Sequence, residues 1–233
     1  MTTFGLIHGA WHGGWCWDLL IPELERRGHR AVAVDLPCDD PGPGIMDNAR
    51  LVAEALDGVG AGDDVVVVGH SLGGVVAPVV PLLRPVRRVV FLAALIPRPG
   101  RSLGDVLGAE PDATTEAFAK LPRNVGDQGS VSWDRDVAEA FFYRDCDPDT
   151  ARWASGQLRT QYWTTSRETC PLEAWPDCEL VSMVCTGDEL VTPDWSRRIT
   201  RGVLGVEPVE LPGGHFPMLG IPGELAEALT AEG

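Results

Sequence analysis

The run that most constrains this chain is Val65-Val66-Val67-Val68-Gly69-His70-Ser71-Leu72-Gly73-Gly74. Four consecutive β-branched residues form a short, continuously apolar stretch, the pattern of a strand buried on both faces. Gly69-His70-Ser71-Leu72-Gly73 then fits G-x-S-x-G, in which a nucleophilic serine sits on a sharp strand-to-helix turn with its hydroxyl above the sheet. Glycines on either side let neighbouring backbone approach without a side-chain clash. The small and apolar residues from Val75 towards Leu83 predict a helix, whose N-terminal N–H groups and dipole would favour an incoming negative charge. A structural turn with an incidental serine is the plainer reading. The valine run before the motif and the second glycine after it weigh against that.

Other buried-strand runs are spaced along the chain at Thr3–Ile7, Arg30–Leu36, Arg87–Ala93, Leu180–Cys185 and Pro208–Leu211. Between them lie amphipathic stretches: Trp17–Arg27, in which Pro22 implies a late start or a kink, Ile45–Leu56, Pro193–Arg201 and a last one around Glu224–Leu229. This alternation predicts an α/β fold, a parallel sheet with helices on both faces. Ligands of such sheets bind at the carboxyl ends of the strands where strand order reverses. The loop after the first strand (His8-Gly9) and the turn at Ser71 would then lie side by side.

From about Arg101 to Trp175 no buried-strand run appears. Asp112–Lys120, Trp133–Tyr143 and Pro148–Trp163 look helical, and the stretch holds Trp133, Trp153, Trp163 and Trp175. The expectation is a core formed by residues 1–100 and 176–233, with 101–175 inserted as a helical cap over its active end. Surface helices covering nothing catalytic are the alternative.

Composition narrows the class. A length of 233 residues at 44% hydrophobic suits one α/β domain with an insertion. Net charge is −15, with eighteen arginines and the single lysine Lys120, and no basic block, so no nucleic-acid partner is expected. No apolar run approaches the roughly 18 residues of a membrane span. The N-terminus runs straight into Thr3-Phe4-Gly5-Leu6-Ile7 without signal-peptide features, so a cytoplasmic location is expected. The six cysteines show no C-x-x-C or metal-ligand spacing, and free, mostly buried thiols are expected, a disulfide in the middle region being the alternative.

A serine hydroxyl needs a general base within reach and a third group to orient that base. The chain offers Ser71, Asp188 and His215 in that order, which is the order of α/β-hydrolases. Asp188 ends a buried strand, and His215 follows a glycine pair just beyond the next. Glu189 and Asp194 are the runners-up to Asp188. Asp35 ends the second strand, but its Asp-Leu-Pro context suits a turn. His8 and His70 flank glycines inside the two turns, which suits bracing by hydrogen bonds better than service as the base. His12 is placed either at the pocket mouth or in packing, and His29 at a solvent-facing helix end. Backbone N–H groups of Leu72 and of Ala10 or Gly9 are the expected oxyanion donors.

The stretches His8-Gly9-Ala10-Trp11-His12-Gly13-Gly14-Trp15-Cys16-Trp17, Val34-Asp35-Leu36-Pro37, Gly69-His70-Ser71-Leu72-Gly73-Gly74, Thr186-Gly187-Asp188-Glu189 and Gly213-Gly214-His215-Phe216 carry a resemblance. The chain resembles α/β-hydrolase fold enzymes of the plant methylesterase and hydroxynitrile lyase type, with their bacterial esterase relatives. The likeness spans nearly the whole chain and is loose over 101–175. It implies about six mostly parallel strands beneath a helical lid, and cofactor-free chemistry on an ester-like small molecule. The lyase branch carries threonine after the first histidine and lysine after the catalytic one. Here those places hold Gly9 and Phe216, which favours hydrolysis, and Ser71 excludes the aspartate-nucleophile branches.

The expected protein is therefore a serine esterase acting on small to medium carboxylic esters, with Ser71, His215 and Asp188 as its triad and Ala10 and Leu72 as its oxyanion hole. Gly9, Trp11, His12, His70, Trp133, Trp153 and Phe216 are the candidate substrate-binding residues. No cofactor or metal is expected, and oligomeric state is open, a homodimer included. Lactone, thioester or other cofactor-free chemistry on the same triad, and a slow-turnover receptor-like protein, are the alternatives.

Overall fold

The computed structural model describes residues 1–60, 62 and 64–231 of the chain. Its strands are β1 (Thr3–Ile7), β2 (Arg30–Val34), β3 (Val65–His70), β4 (Arg88–Leu92), β5 (Asn124–Val125), β6 (Val131–Ser132), β7 (Glu179–Cys185) and β8 (Val209–Leu211). Six of them form one parallel sheet in the order β2-β1-β3-β4-β7-β8. β5 and β6 pair antiparallel in a separate two-stranded ribbon.

Strand order reverses at β1, which has β2 on one side and β3 on the other. That reversal opens a crevice at the carboxyl ends of β1 and β3. The pairing of Ile7 with Gly69 brings the loop after β1 beside the turn after β3. Every residue of β1, β3 and β4 is buried, as their unbroken apolar runs require. β2 departs from the expected buried strand. It is an edge strand, with Arg30 exposed, Ala31 to Ala33 half-buried and only Val34 buried.

The first helices follow the sequence signals with one correction. α1 (Ile21–Arg26) starts with Pro22 in its first turn, where the missing N–H is unpaired anyway, and Trp17 belongs to a separate 3-10 turn, Gly14–Trp17. α2 (Ile45–Gly58) buries Ile45, Ala49, Val52 and Leu56. The expected helix behind Ser71 is instead two 3-10 segments, Ser71–Val75 and Ala77–Leu82. Pro78 and Pro81 supply no N–H to an α-helical ladder there. Charge stabilisation at this turn must therefore come from individual N–H groups rather than from a long helix dipole.

Between β4 and β7 run α3 (Leu103–Ala109), α4 (Glu116–Ala119), α5 (Arg135–Phe141), α6 (Pro148–Ser155) and α7 (Thr164–Arg167). These are shorter than the helical stretches read from sequence. Thr115 caps α4 by accepting the Phe118 N–H, and Asp147 caps α6 by accepting those of Asp149 and Thr150, so each boundary falls at a side-chain cap. α8 (Pro193–Ile199), α9 (Pro217–Gly220) and α10 (Pro222–Thr230) complete the chain. α1 packs on α10, and α2 on the Ala77–Leu82 segment. Among the described residues no helix is long and apolar enough to cross a membrane. All six cysteines are free, four of them buried.

The segment from Arg159 to Glu168 is stitched to the loops beyond β1 and β2. The Arg159 guanidinium binds Asp35 at 2.8 Å, and Tyr162 N–H donates to the Cys38 carbonyl at 2.8 Å. The Thr164 hydroxyl donates to the Pro41 carbonyl at 2.6 Å, and Glu168 accepts the Ile45 N–H at 2.7 Å.

Candidate active site

Ser71 stands at the end of β3 with φ of 50°, a left-handed conformation that costs a non-glycine residue about 1–3 kcal/mol. The surrounding packing enforces it. A Cβ on Gly73 would lie 2.7 Å from the His8 carbonyl oxygen, and one on Gly9 would lie 2.7 Å from the Ser71 Cβ. The loop after β1 therefore presses directly on the serine turn, and a larger residue at Gly9 or Gly73 does not fit without displacing it. The Leu95 N–H donates to the Ser71 carbonyl at 3.0 Å, tying the turn to the loop after β4. Among the described residues the Ser71 hydroxyl has no hydrogen-bond partner; it opens on a cavity that His215 also lines.

His215 is held from two directions. Asp188 Oδ2 lies 2.7 Å from His215 Nδ1, and Asp188 Oδ1 accepts the N–H groups of Leu190 at 2.8 Å and Val191 at 2.9 Å. A carboxylate can only accept from the ring, so Nδ1 carries the proton and Nε2 is left with its lone pair. Both side chains are buried. From the far side, His70 Nε2–H donates to the His215 carbonyl at 2.8 Å, and Asp145 accepts the Gly214 N–H at 2.5 Å.

Three further buried imidazoles surround the serine. His8 Nε2 accepts the Leu36 N–H at 2.9 Å, which leaves Nδ1–H to donate to the Gly9 carbonyl at 2.8 Å. His12 Nδ1–H donates to the Ala10 carbonyl at 2.7 Å, and its Nε2 accepts the Tyr143 hydroxyl at 2.8 Å. Burial pushes the pKa of His8 and His70 down from the ordinary 6.5 and that of His12 down to about 3, so all three stay neutral near pH 7. Burial also raises the Tyr143 phenol well above 10, keeping it a donor.

The cavity measures about 160 Å³ and is almost wholly apolar. Among the residues singled out from the sequence, Ala10, Trp11, Ser71, Leu72 and His215 line it. The Ala10 amide has no partner among the described residues, and Leu72, in the first turn of its 3-10 segment, has no intrahelical acceptor.

Several expected contacts fall elsewhere. His12 is fully buried, stacked on Phe216 at 4.6 Å and on Trp15 at 5.1 Å, and does not line the cavity. Trp133 stands edge-on to Trp11 in an aromatic cluster with Phe118 and Phe142, and Trp153 lies half-exposed against Trp15. Gly9, His70 and Phe216 support the loops behind the cavity without lining it. Asp35 is bound to Arg159, Glu189 to Arg144 and Asp194 to Arg197, so none of them reaches the His215 ring. The His29 ring packs edge-on against Phe4, at the opposite end of β1.

Leu103, Leu107, Phe118, Leu190 and Val191 also line the cavity, and sequence reasoning missed them. Leu190 and Val191 directly follow the Asp188 motif, and that adjacency was the available signal. Leu103 and Leu107 are spaced four apart on one helix face, a pattern indistinguishable from ordinary core.

The chain is similar to known proteins along nearly its whole length. Residues 6–228 match the model of the alpha/beta hydrolase family. The chain is 28% identical over 264 aligned positions to a carbendazim hydrolyzing esterase from Nocardioides sp. (strain SG-4G), covering all of both chains. It is 27% identical to salicylic acid-binding protein 2 of Nicotiana tabacum, over 97% of this chain and 95% of that one. A crystal structure of a pyrethroid hydrolase from Sphingobium faniae JZ-2 superposes with a TM-score of 0.78 at 25% identity, over 98% of this chain and 95% of that one.

Proposed function

The chain belongs to the alpha/beta hydrolase family, and from that premise we propose that it is a cofactor-free carboxylic ester hydrolase working through a Ser71–His215–Asp188 triad. One observation carries the reading. A buried carboxylate fixed by two amides orients an imidazole that lines the same cavity as a strained serine whose hydroxyl has no partner among the described residues. The esterases among its relatives support the reaction class.

In the proposed reaction Ser71 Oγ attacks the ester carbonyl carbon and its proton passes to His215 Nε2. The carbonyl oxygen becomes an oxyanion that accepts from the Ala10 and Leu72 N–H groups. Asp188 stabilises the imidazolium without taking its proton. Collapse breaks the bond to the alkoxy oxygen, which leaves with the proton from His215. Water then adds to the acyl-enzyme by the same route and releases the acid.

The cavity supports an uncharged, compact acyl group. It has no cation in its wall, and its volume is close to the roughly 150 Å³ of an engineered apolar cavity that binds benzene. We read residues 101–175 as a cap, since its Leu103, Leu107 and Phe118 close that wall.

Ser71→Ala decides the matter. Hydrolysis of p-nitrophenyl butyrate should fall at least about 10³-fold with the melting temperature unchanged. A fluorophosphonate should label the wild type at Ser71 and leave the variant unlabelled. Undiminished turnover in the variant would refute the assignment, and a folded wild type that neither turns over nor labels would favour a binding protein.

A further inference from the structure

The peptide that follows Ala10 is gripped at one end by Gln161, from the region between β4 and β7, and at the other by His12, which Tyr143 of that region holds in turn. Its N–H, belonging to Trp11, donates to Gln161 Oε1 at 3.2 Å. Its carbonyl, belonging to Ala10, accepts His12 Nδ1–H at 2.7 Å, and the remaining ring nitrogen, Nε2, accepts the Tyr143 hydroxyl at 2.8 Å. Gln161 and Tyr143 are themselves buried. Gln161 is rigidly seated, since its backbone exchanges both N–H···O bonds with Val131, at 2.9 and 3.0 Å, and its amide nitrogen donates to the Tyr162 carbonyl.

The grip matters because Trp11 is held in an unfavourable conformation. Its φ is 65°, a region that large side chains avoid. Two more bonds from the same region hold the residue there. The Arg159 N–H donates to the Trp11 carbonyl at 2.8 Å, and the Trp11 indole donates to the Val131 carbonyl at 3.1 Å. Without them the backbone would relax towards negative φ and turn the Ala10–Trp11 peptide. On the other side of Ala10, His8 fixes the Gly9 carbonyl. A trans peptide sets its N–H opposite its carbonyl, so the Ala10 N–H is aimed by the Gly9–Ala10 peptide that His8 holds, while the Ala10–Trp11 peptide anchors the Ala10 Cα beside it.

We propose that Gln161 and Tyr143 are positioning residues for catalysis, locking the Ala10–Trp11 peptide so that the Ala10 N–H points at the developing oxyanion. The proposal rests on the esterase reading and on Ala10 as an oxyanion donor. Neither residue touches substrate. Their effect should appear in the transition state and not in ground-state binding.

The test uses the full-length protein with Gln161→Leu, which removes the acceptor at similar volume, and Tyr143→Phe, which removes only the hydroxyl. The kcat and KM for p-nitrophenyl butyrate are measured beside inhibition by a trifluoromethyl ketone, which mimics the tetrahedral oxyanion, and by the matching methyl ketone. For Gln161→Leu the expected loss in kcat is roughly 10- to 100-fold with KM little changed, since small misplacements of such donors cost on that scale. Trifluoromethyl ketone affinity should fall by the same factor and methyl ketone affinity should hold. Tyr143→Phe should show the same pattern, more weakly, and carries the test alone if Gln161→Leu does not fold. A folded variant that keeps kcat and trifluoromethyl ketone affinity within about twofold overturns the proposal, as does an equal loss for both ketones. A wild type inert towards the ester overturns the esterase reading and this inference with it. An active wild type with unaffected variants overturns the inference alone.

Discussion

His70 and His215 are joined by a hydrogen bond from the ring of the first to the main chain of the second, 2.8 Å long and fully buried. The strand that ends on the serine thereby also holds the loop that carries the base. That bond ties the turn of Ser71 to the loop of His215, although 145 positions separate the two histidines in the chain.

Replacing His70 by phenylalanine tests this link. The ring would still pack against Trp17 and Phe216, but the His215 carbonyl would lose its donor. An unsatisfied buried carbonyl costs about 1–3 kcal/mol, so the melting temperature should drop by several degrees. The kcat should also fall as the base loosens. Calorimetry and steady-state kinetics on the same preparation check both.

Asp188→Asn should act differently. The asparagine oxygen can still accept from Leu190 and Val191, so the loop should keep its shape. Its NH₂ group would then face His215 Nδ1, forcing the proton onto Nε2 and removing the base. We expect kcat to fall by about 10⁴ with stability near that of the wild type, measured by kinetics and denaturant titration.

Acid should unfold the protein through its buried imidazoles. His12 has its ordinary value of 6.5 when unfolded and about 3 when folded, because burial disfavours the cation. Its contribution to stability is complete above pH 6.5. It is lost as pH falls from 6.5 towards 3, because the unfolded chain binds a proton that the folded one refuses. At pH 5 the loss from His12 alone is about 2 kcal/mol, and His8 and His70 shift in the same direction. Urea midpoints at pH 7.5 and pH 5 measure the slope, and His12→Gln should make it shallower.

Cavity size should govern acyl preference. Leu107→Trp fills the cavity from α3 at a partly buried position. The kcat/KM for p-nitrophenyl benzoate should fall at least about tenfold relative to that for the acetate, the scale on which a hydrophobic pocket discriminates by size. Equal effects on both substrates would place the acyl group elsewhere.

Much of this site could be read in one dimension because its chemistry is local. Gly9, Gly69 and Gly73 betray the turn by their spacing, and Asp188 and His215 each stand a few residues beyond a recognisable strand. What escaped is what depends on distant partners. The burial of His12 is decided by Tyr143, 131 positions away, and the left-handed backbone of Trp11 by Gln161, 150 positions away. The 3-10 geometry behind Ser71 was foreshadowed by Pro78 and Pro81, but the apolar pattern alone does not separate it from an α-helix. The cavity wall on α3 and α4 carries no periodic signal that distinguishes a binding surface from a packed one.

The two amides that steady Asp188 belong to Leu190 and Val191, whose side chains also face the cavity. Altering the shape of the binding space at those two sites therefore disturbs the acid that tunes the base. Leu103, Leu107 and Phe118 carry no such second duty. Substitutions on that wall should therefore change acyl preference at little cost to rate, while those at 190 and 191 should also disturb the seat of Asp188.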